Sequence, residues 1–335
     1  MKRSYNVLRF LIVLIVGSAF FVRGGYAVVV PEPYIYSTVY IQNHSTGQAG
    51  TAFLVSRRVG KESRKVFLVS NKHVLLPAPL KNIPEEPKEA KATILINKLE
   101  QEKIRAINMQ ILLRDEGGVS YVKGHPNANV DVAAIDVTKY ISKERELIPE
   151  YKLGFIEENR FATREMMKQS FLSLGDRLLV LGYPLNLIEG GTSIPVGRDG
   201  IIASRPDLDF KGLPIILIDS TIVRGSSGSP VFTTILPYRW KTQTEIEQLK
   251  ISQSFLLGVA SHTVSDWEME IKKTVVFGQP PQTVSVLAGA NFGIVFRAET
   301  ISETLDEFGQ KLWKAETAET VSAPMPAEDQ KSSKD

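Results

Sequence analysis

The most constraining feature of this sequence is a succession of short apolar runs, rich in Val, Ile, Tyr and Phe, that recur between turn residues. They fall at Tyr34–Gln42, Gly50–Ser56, Lys65–Ser70, Ala92–Ile96, Ile107–Leu113 and Val130–Val137. Further on they fall at Arg177–Leu181, Ile215–Ile218, Pro230–Thr233, Ser254–Ser261, Thr274–Phe277 and Phe292–Phe296. Runs of this length suit strands, and few helical stretches separate them. The pattern predicts an all-β chain built as a barrel or sandwich, not a βαβ wound sheet.

Helical signals are few. Glu157–Gln169 reads as a short helix or helical insertion before a strand, and Pro84–Glu89 as a charged, solvated loop. Near the end, Thr300-Ile-Ser-Glu303 has capping-box form, and Ile301, Leu305, Phe308 and Leu312 repeat at helical spacing. This predicts a terminal helix over 301–314. Beyond Trp313 there is no aromatic residue, and Ala, Glu, Lys, Ser and Pro dominate, which predicts a disordered tail over 315–335. No repeat of 20–50 residues and no second compact unit, such as an appended PDZ domain, is legible.

The N-terminus has a different character. Lys2, Arg3 and Arg9 precede the uncharged run Phe10–Val22. As a helix that run spans about 20 Å, short of a hydrocarbon core of about 30 Å. A basic region, a short apolar run and small residues at Gly25-Tyr26-Ala27 form a secretory signal, so residues 1–27 are expected to be removed after Ala27. The competing reading is an uncleaved anchor, the only route to a membrane. Either way, residues 28–314 are expected outside the cytoplasm, in the periplasm or the extracellular space.

Composition narrows the function classes. With 43% hydrophobic and 23% charged residues the chain is neither disordered, collagen-like nor a polytopic membrane protein. Its net charge of +3 could suggest nucleic acid, but four of the 40 basic residues lie in the first 27. Without them 36 basic residues face 37 acidic ones, so no nucleic-acid partner is expected. The absence of cysteine removes disulfides, thiolate catalysis and zinc–cysteine sites. The four histidines, His44, His73, His125 and His262, show no metal-ligand spacing, and no phosphate-binding glycine motif occurs. Neither a metal nor a cofactor is expected.

The chemistry concentrates at Gly225-Ser226-Ser227-Gly228-Ser229-Pro230. A serine between glycines, followed by proline and an apolar strand start, makes a tight turn that exposes its hydroxyl. The glycines let backbone N–H groups converge in front of it, as acyl transfer requires when charge develops on a carbonyl oxygen. Such a nucleophile needs a base, and the base needs an orienting acid. His73 stands at the end of an apolar strand, and Asp131 and Asp136 bracket another. The chain order His–Asp–Ser is one of the orders known for a triad. The Gly-x-Ser-x-Gly of an α/β-hydrolase is absent, since position 229 is Ser and only His262 follows.

At these residues the chain resembles the trypsin-like serine peptidases, in particular the bacterial Deg-type proteases and glutamyl endopeptidases. Seven segments in the family's order carry the resemblance, from about residue 34 to 312. They are Gly50-Thr-Ala-Phe-Leu-Val, Val69-Ser-Asn-Lys-His73-Val, Asp131-Val-Ala-Ala-Ile, Gly175–Pro184, Gly225–Pro230, Gly258-Val-Ala-Ser261 and Phe292-Gly-Ile-Val-Phe296. The resemblance implies two six-stranded antiparallel β-barrels, about 34–137 and about 170–300, with the terminal helix after them. It implies a serine endopeptidase acting on polypeptides, with Ser227 as nucleophile, His73 as general base and Asp131, rather than Asp136, as orienting acid. The N–H groups of Gly225 and Ser227 would form the oxyanion hole, and the Ser261 hydroxyl would approach the acid.

The chain also departs from the family. Ser226 stands where members carry Asp or Asn, so the ion pair of zymogen-activated members cannot form, which implies activity without N-terminal processing. Segments 77–129 and 139–174 are longer than usual. Thr221 would lie at the floor of the pocket for the residue before the cut, with Ser261 and Thr263 lining it. Ala260 stands where glutamyl endopeptidases carry a histidine. A neutral, shallow pocket implies a preference for small or medium apolar residues such as Ala or Val. His44 and His125 read as solvated turn residues, and His262 as an exposed strand residue. The remaining alternative is a catalytically silent binding protein on the same fold.

Overall fold

The computed structural model describes residues 30–61, 63–76, 89–141, 151–170, 172–188, 191–235, 253–263, 268–272, 283–287 and 292–309. The expected signal at 1–27, the tail at 315–335, the end of the terminal helix, most of the Pro84–Glu89 loop and the run Thr274–Phe277 lie outside the described residues. Among the described residues no helix is long and apolar enough to cross a membrane.

The chain folds as the expected double-barrel β architecture. Its first half contributes β1 (Thr38–Asn43), β2 (Ala49–Arg58), β3 (Arg64–Ser70), β4 (Ala90–Glu100), β5 (Lys103–Arg114), β6 (Val122–Gly124) and β7 (Ala133–Asp136), paired in the order β5-β4-β1-β2-β3-β7-β6. Two short strands add to it: β8 (Tyr151–Lys152) on β4 and β9 (Ile156–Glu157), parallel, on β2. These two pieces of the inserted segment 139–174 raise the count from seven to nine, where six are expected. The second half closes into a six-stranded antiparallel barrel. Its members are β10 (Arg177–Gly182), β11 (Val196–Ile202), β12 (Ile215–Asp219), β13 (Pro230–Ile235), β14 (Gln253–Thr263) and β17 (Phe292–Arg297). A separate hairpin pairs β15 (Glu268–Lys272) with β16 (Thr283–Leu287).

Several elements differ from the expectation. The run Tyr34–Gln42 is not one strand: a short helix α1 (Glu32–Ser37) precedes β1, because Pro33 suits a first helical turn. The strand β11 has no apolar signature, since most of its residues face outward. The stretch Glu157–Gln169 is β9, a 3-10 turn at Glu158–Arg160, and then α3 (Arg164–Gln169), whose N-cap Thr163 accepts from Met166 N. The one-turn helix α2 (Lys72–Leu75) follows β3, and α4 (Glu299–Asp306) follows β17.

The strands β2 and β3 explain how the halves join. Alternate residues of a strand face opposite sides, and both sides of these strands are buried. Ala52, Leu54 and Leu68 enter the core of the first barrel. Phe53, Val55, Phe67 and Val69 instead enter a core shared with Phe232, Leu256, Val259 and Phe296 of the second barrel and Ile301 and Leu305 of α4. The two halves therefore share one continuous apolar core. Arg57 lies on the same face of β2 and is fully buried. Its guanidinium grips both carboxylate oxygens of Glu158 at 2.8 Å, Asp306 Oδ1 at 2.6 Å and the Ser302 carbonyl at 2.9 Å.

Candidate active site

The elements converge on the cleft from both sides. After β3, Asn71 turns the chain into α2, and its Nδ2 donates to the Asp131 carbonyl at 2.7 Å. That bond ties the His73 turn to the loop before β7. The Asp131 carboxylate spans His73, accepting from its backbone N–H at 3.2 Å and meeting its Nδ1 at 2.7 Å. An ionised carboxylate only accepts, so Nδ1 carries a proton, and in the neutral form of the ring Nε2 presents a lone pair. His73 Nε2 has no partner among the described residues. Burial acts to raise the Asp131 pKa, but hydrogen bonds and charge from His73, with a further bond from Ser261, hold it below the ordinary aspartate value. Asp136 is turned elsewhere, to Lys65 Nζ at 3.0 Å and to Thr138.

The second barrel supplies the turn Gly225–Ser229. Gly228 is in a left-handed conformation (φ +86°), and a Cβ there would sit 2.0 Å from the Thr51 carbonyl oxygen, so only glycine fits. Gly225 (φ +87°) is equally confined, with a Cβ position 2.3 Å from the Tyr183 oxygen. Gly228 N donates to Ala260 O at 2.8 Å and Ser226 N to Val223 O at 2.9 Å. The Gly225 and Ser227 N–H groups donate to no acceptor among the described residues. The Ser227 hydroxyl is half-buried and donates to the Ser261 carbonyl at 2.9 Å, and it makes no hydrogen bond to His73.

Ser261 joins the two sides. Its hydroxyl donates to Asp131 Oδ2 at 2.7 Å and lies 2.8 Å from His262 Nδ1. A hydroxyl has one proton. Since that proton goes to the carboxylate, His262 Nδ1–H is the donor of the second contact. Thr221 is exposed, and Thr263, half-buried, donates its hydroxyl to Ile222 O at 2.6 Å. His73, Asp131, Ser227 and Ser261 are thus brought together.

Residues 50–235 match the family described as the trypsin-like peptidase domain. That span is more than half of the chain. The chain belongs to the trypsin-like peptidases. As a member it is a serine endopeptidase with polypeptide substrates. Solved structures with a similar outline include the active form of the protease Rv3671c from M. tuberculosis, at 16% identity and TM-score 0.38, covering 84% of this chain and 85% of that one. Deg5 follows at 15% identity and TM-score 0.38, covering 68% and 80%. The HtrA-type protease AlgW, solved with a decapeptide, is 11% identical at TM-score 0.39, covering 83% and 66%. No curated protein matches the sequence.

Sequence reasoning missed several residues of this peptidase. His125 is not solvated: it is buried, its Nε2 lies 2.6 Å from Glu303 Oε2, and its Nδ1 accepts from Asn127 N at 3.0 Å. His44 does stay exposed, with its Nε2 2.7 Å from Thr93 Oγ1. Tyr183, fully buried between the barrels, places its hydroxyl within 3.2 Å of Thr38 O, Ser193 O and Ser193 Oγ, which share its one proton, and burial pushes its pKa up. Its place in Gly-Tyr-Pro was the only available signal. The Gly50–Ser56 run marks a strand and gives Thr51 no role of its own.

Proposed function

We propose that the chain is an exported serine endopeptidase that works through Ser227, His73 and Asp131 by way of an acyl-enzyme. The observation that carries this reading is the bonded arrangement in which Asp131 holds His73 by two contacts while Ser261 links Asp131 to Ser227. With substrate in the cleft, Ser227 would swing from the Ser261 carbonyl to His73 Nε2 and attack the scissile carbonyl as its proton passes to that nitrogen. The unpaired N–H groups of Gly225 and Ser227 would receive the negative charge on the carbonyl oxygen. His73 then delivers the proton to the leaving amine, and water repeats the sequence to free the acid.

The pocket reading gives the preference. Thr221 offers no carboxylate for Lys or Arg, and Ala260 no cation for Glu. With the Thr263 hydroxyl turned to backbone, its methyl is left to line the wall. We therefore assign a preference for Ala or Val before the cut, with modest discrimination, since one methylene in an apolar pocket is worth about 1–3 kcal/mol. Residues 1–27 act as the export signal, which puts the domain in the periplasm or outside the cell.

A fluorophosphonate probe on the full chain tests the core of this proposal. Labelling of wild type and loss of label in Ser227→Ala is the expected result. Unlabelled wild type would favour a silent binding protein on the same fold. Cleavage of an unbiased peptide library after Lys, Arg or Glu would overturn the pocket assignment.

A further inference from the structure

We propose that Thr51, on the first barrel, is a positioning residue that sets the orientation of the oxyanion turn on the second. The proposal rests on the peptidase reading above and extends it to a residue outside the triad.

The turn poses a physical problem. Gly225 lies in the left-handed region, and glycine moves between conformations more freely than any other residue. Its two flanking peptide planes must therefore be held from outside if its N–H is to face a substrate. One plane is held within the second barrel: the Arg224 carbonyl accepts from Leu185 N at 2.6 Å. In a trans peptide the C=O and the following N–H point in opposite directions. Turning the Arg224 oxygen to Leu185 therefore turns the Gly225 N–H the other way.

The other plane is held by Thr51. Its Oγ1 donates to the Gly225 carbonyl at 2.8 Å and accepts from Tyr183 N at 3.0 Å. Its backbone N–H donates to the Ser227 carbonyl at 2.9 Å, and its own carbonyl accepts from Ser70 Oγ at 2.7 Å. Thr51 thus binds the carbonyls of Gly225 and Ser227, the same two residues whose N–H groups are unpaired. It is fully buried and shares the face of β2 that carries Phe53 and Val55 into the core between barrels. The hydroxyl both accepts and donates. Serine could do this and valine, of nearly the same shape, could not.

The test compares Thr51→Val and Thr51→Ser with wild type in the full chain. Removing an oxyanion donor outright lowers kcat about 10²–10³-fold, and misdirecting one should cost about 10–100-fold. Thr51→Val is expected to lose kcat by that factor with KM nearly unchanged, and to bind a peptide boronic acid more weakly by a similar factor. Thr51→Ser should restore both. Full activity in Thr51→Val, or an equal loss in Thr51→Ser, would overturn the proposal. Hydrogen exchange of the 222–229 segment gives a readout independent of turnover. Faster exchange in Thr51→Val but not in Thr51→Ser supports the positioning role even if wild type hydrolyses nothing, a result that would sink the peptidase reading instead. Unchanged exchange in Thr51→Val overturns the positioning role.

Discussion

Two histidine–carboxylate pairs flank one loop of this molecule, and they are built in opposite senses. In the cleft, His73 meets Asp131 at 2.7 Å, with 44% of the histidine side chain exposed and 21% of the aspartate. Behind it, His125 meets Glu303 of α4 at 2.6 Å, with 6% of the histidine and 55% of the glutamate exposed. The distances are nearly equal and the burial is inverted. His125 spends both nitrogens within the protein, on Glu303 and Asn127. His73 spends one and leaves Nε2 without a partner among the described residues. A short histidine–carboxylate contact is therefore no sign of chemistry by itself. Under the proposed function, the base is set apart from the strut by which partner faces the solvent and by the ring nitrogen left over.

The largest expected difference between the pairs is in turnover. Asp131→Asn keeps the shape of the side chain but offers an amide that no longer demands the Nδ1–H tautomer. In a Ser-His-Asp triad, the role we propose for this pair, that change lowers kcat about 10⁴-fold. A peptidase assay with an apolar peptide substrate measures it. If Asp131→Asn lost less than about tenfold, the cleft pair would be a strut too, and the contrast would collapse.

The second effect is on stability and concerns how α4 is anchored. Arg57 is buried and binds Glu158 of the 3-10 turn as well as Asp306 and Ser302 of the helix. Removing one partner of a buried ion pair leaves an uncompensated charge and costs about 3–5 kcal/mol. Arg57→Ala should lower unfolding free energy in urea by that amount and leave kcat of the folded fraction close to wild type. A loss below about 1 kcal/mol would mean that the His125 pair carries the helix instead.

How much of this could be read in advance depended on range. The strands β2, β3, β12 and β17 carry local apolar patterns, and the segments around His73, Asp131 and Ser227 carry local turn chemistry, so both were legible. The strand β11 was not, because most of its side chains face outward. The partners of Thr51, Arg57 and His125 were not legible either. Gly225 lies 174 residues from Thr51, Glu158 lies 101 from Arg57 and Glu303 lies 178 from His125. Contacts over such separations leave no periodicity behind. His125 in Gly-His-Pro-Asn has the composition of a solvated turn, and only the arrival of α4 buries it.

A third difference should appear on acidification. The folded Asp131 has a pKa below the unfolded value of about 3.9. A lowered folded pKa contributes stability that is present above the unfolded pKa and lost as pH falls through the folded one. The stability gap between wild type and Asp131→Asn, measured by urea unfolding, should therefore shrink as pH drops below about 4. A gap that grows over that range would contradict the ionised, hydrogen-bonded state of Asp131.

The smallest expected effect belongs to the pair behind the cleft. Glu303 is more than half exposed, so water and salt screen its contact with His125, and exposed pairs contribute about 0–1 kcal/mol. In Glu303→Gln an amide oxygen can still accept from His125 Nε2, so the hydrogen bond survives and only the charge is lost. Unfolding free energy should fall by less than about 1 kcal/mol, and kcat should stay within about twofold of wild type. The loop from His125 to Asp131 remains held at its other end, because Asn71 grips the Asp131 carbonyl from the first barrel. That second tie is why the strut can weaken without moving the acid. A hundredfold fall in kcat for Glu303→Gln, with the fold intact by near-UV circular dichroism, would show instead that α4 reaches the active site through His125, and the two pairs would have to be counted as one machine.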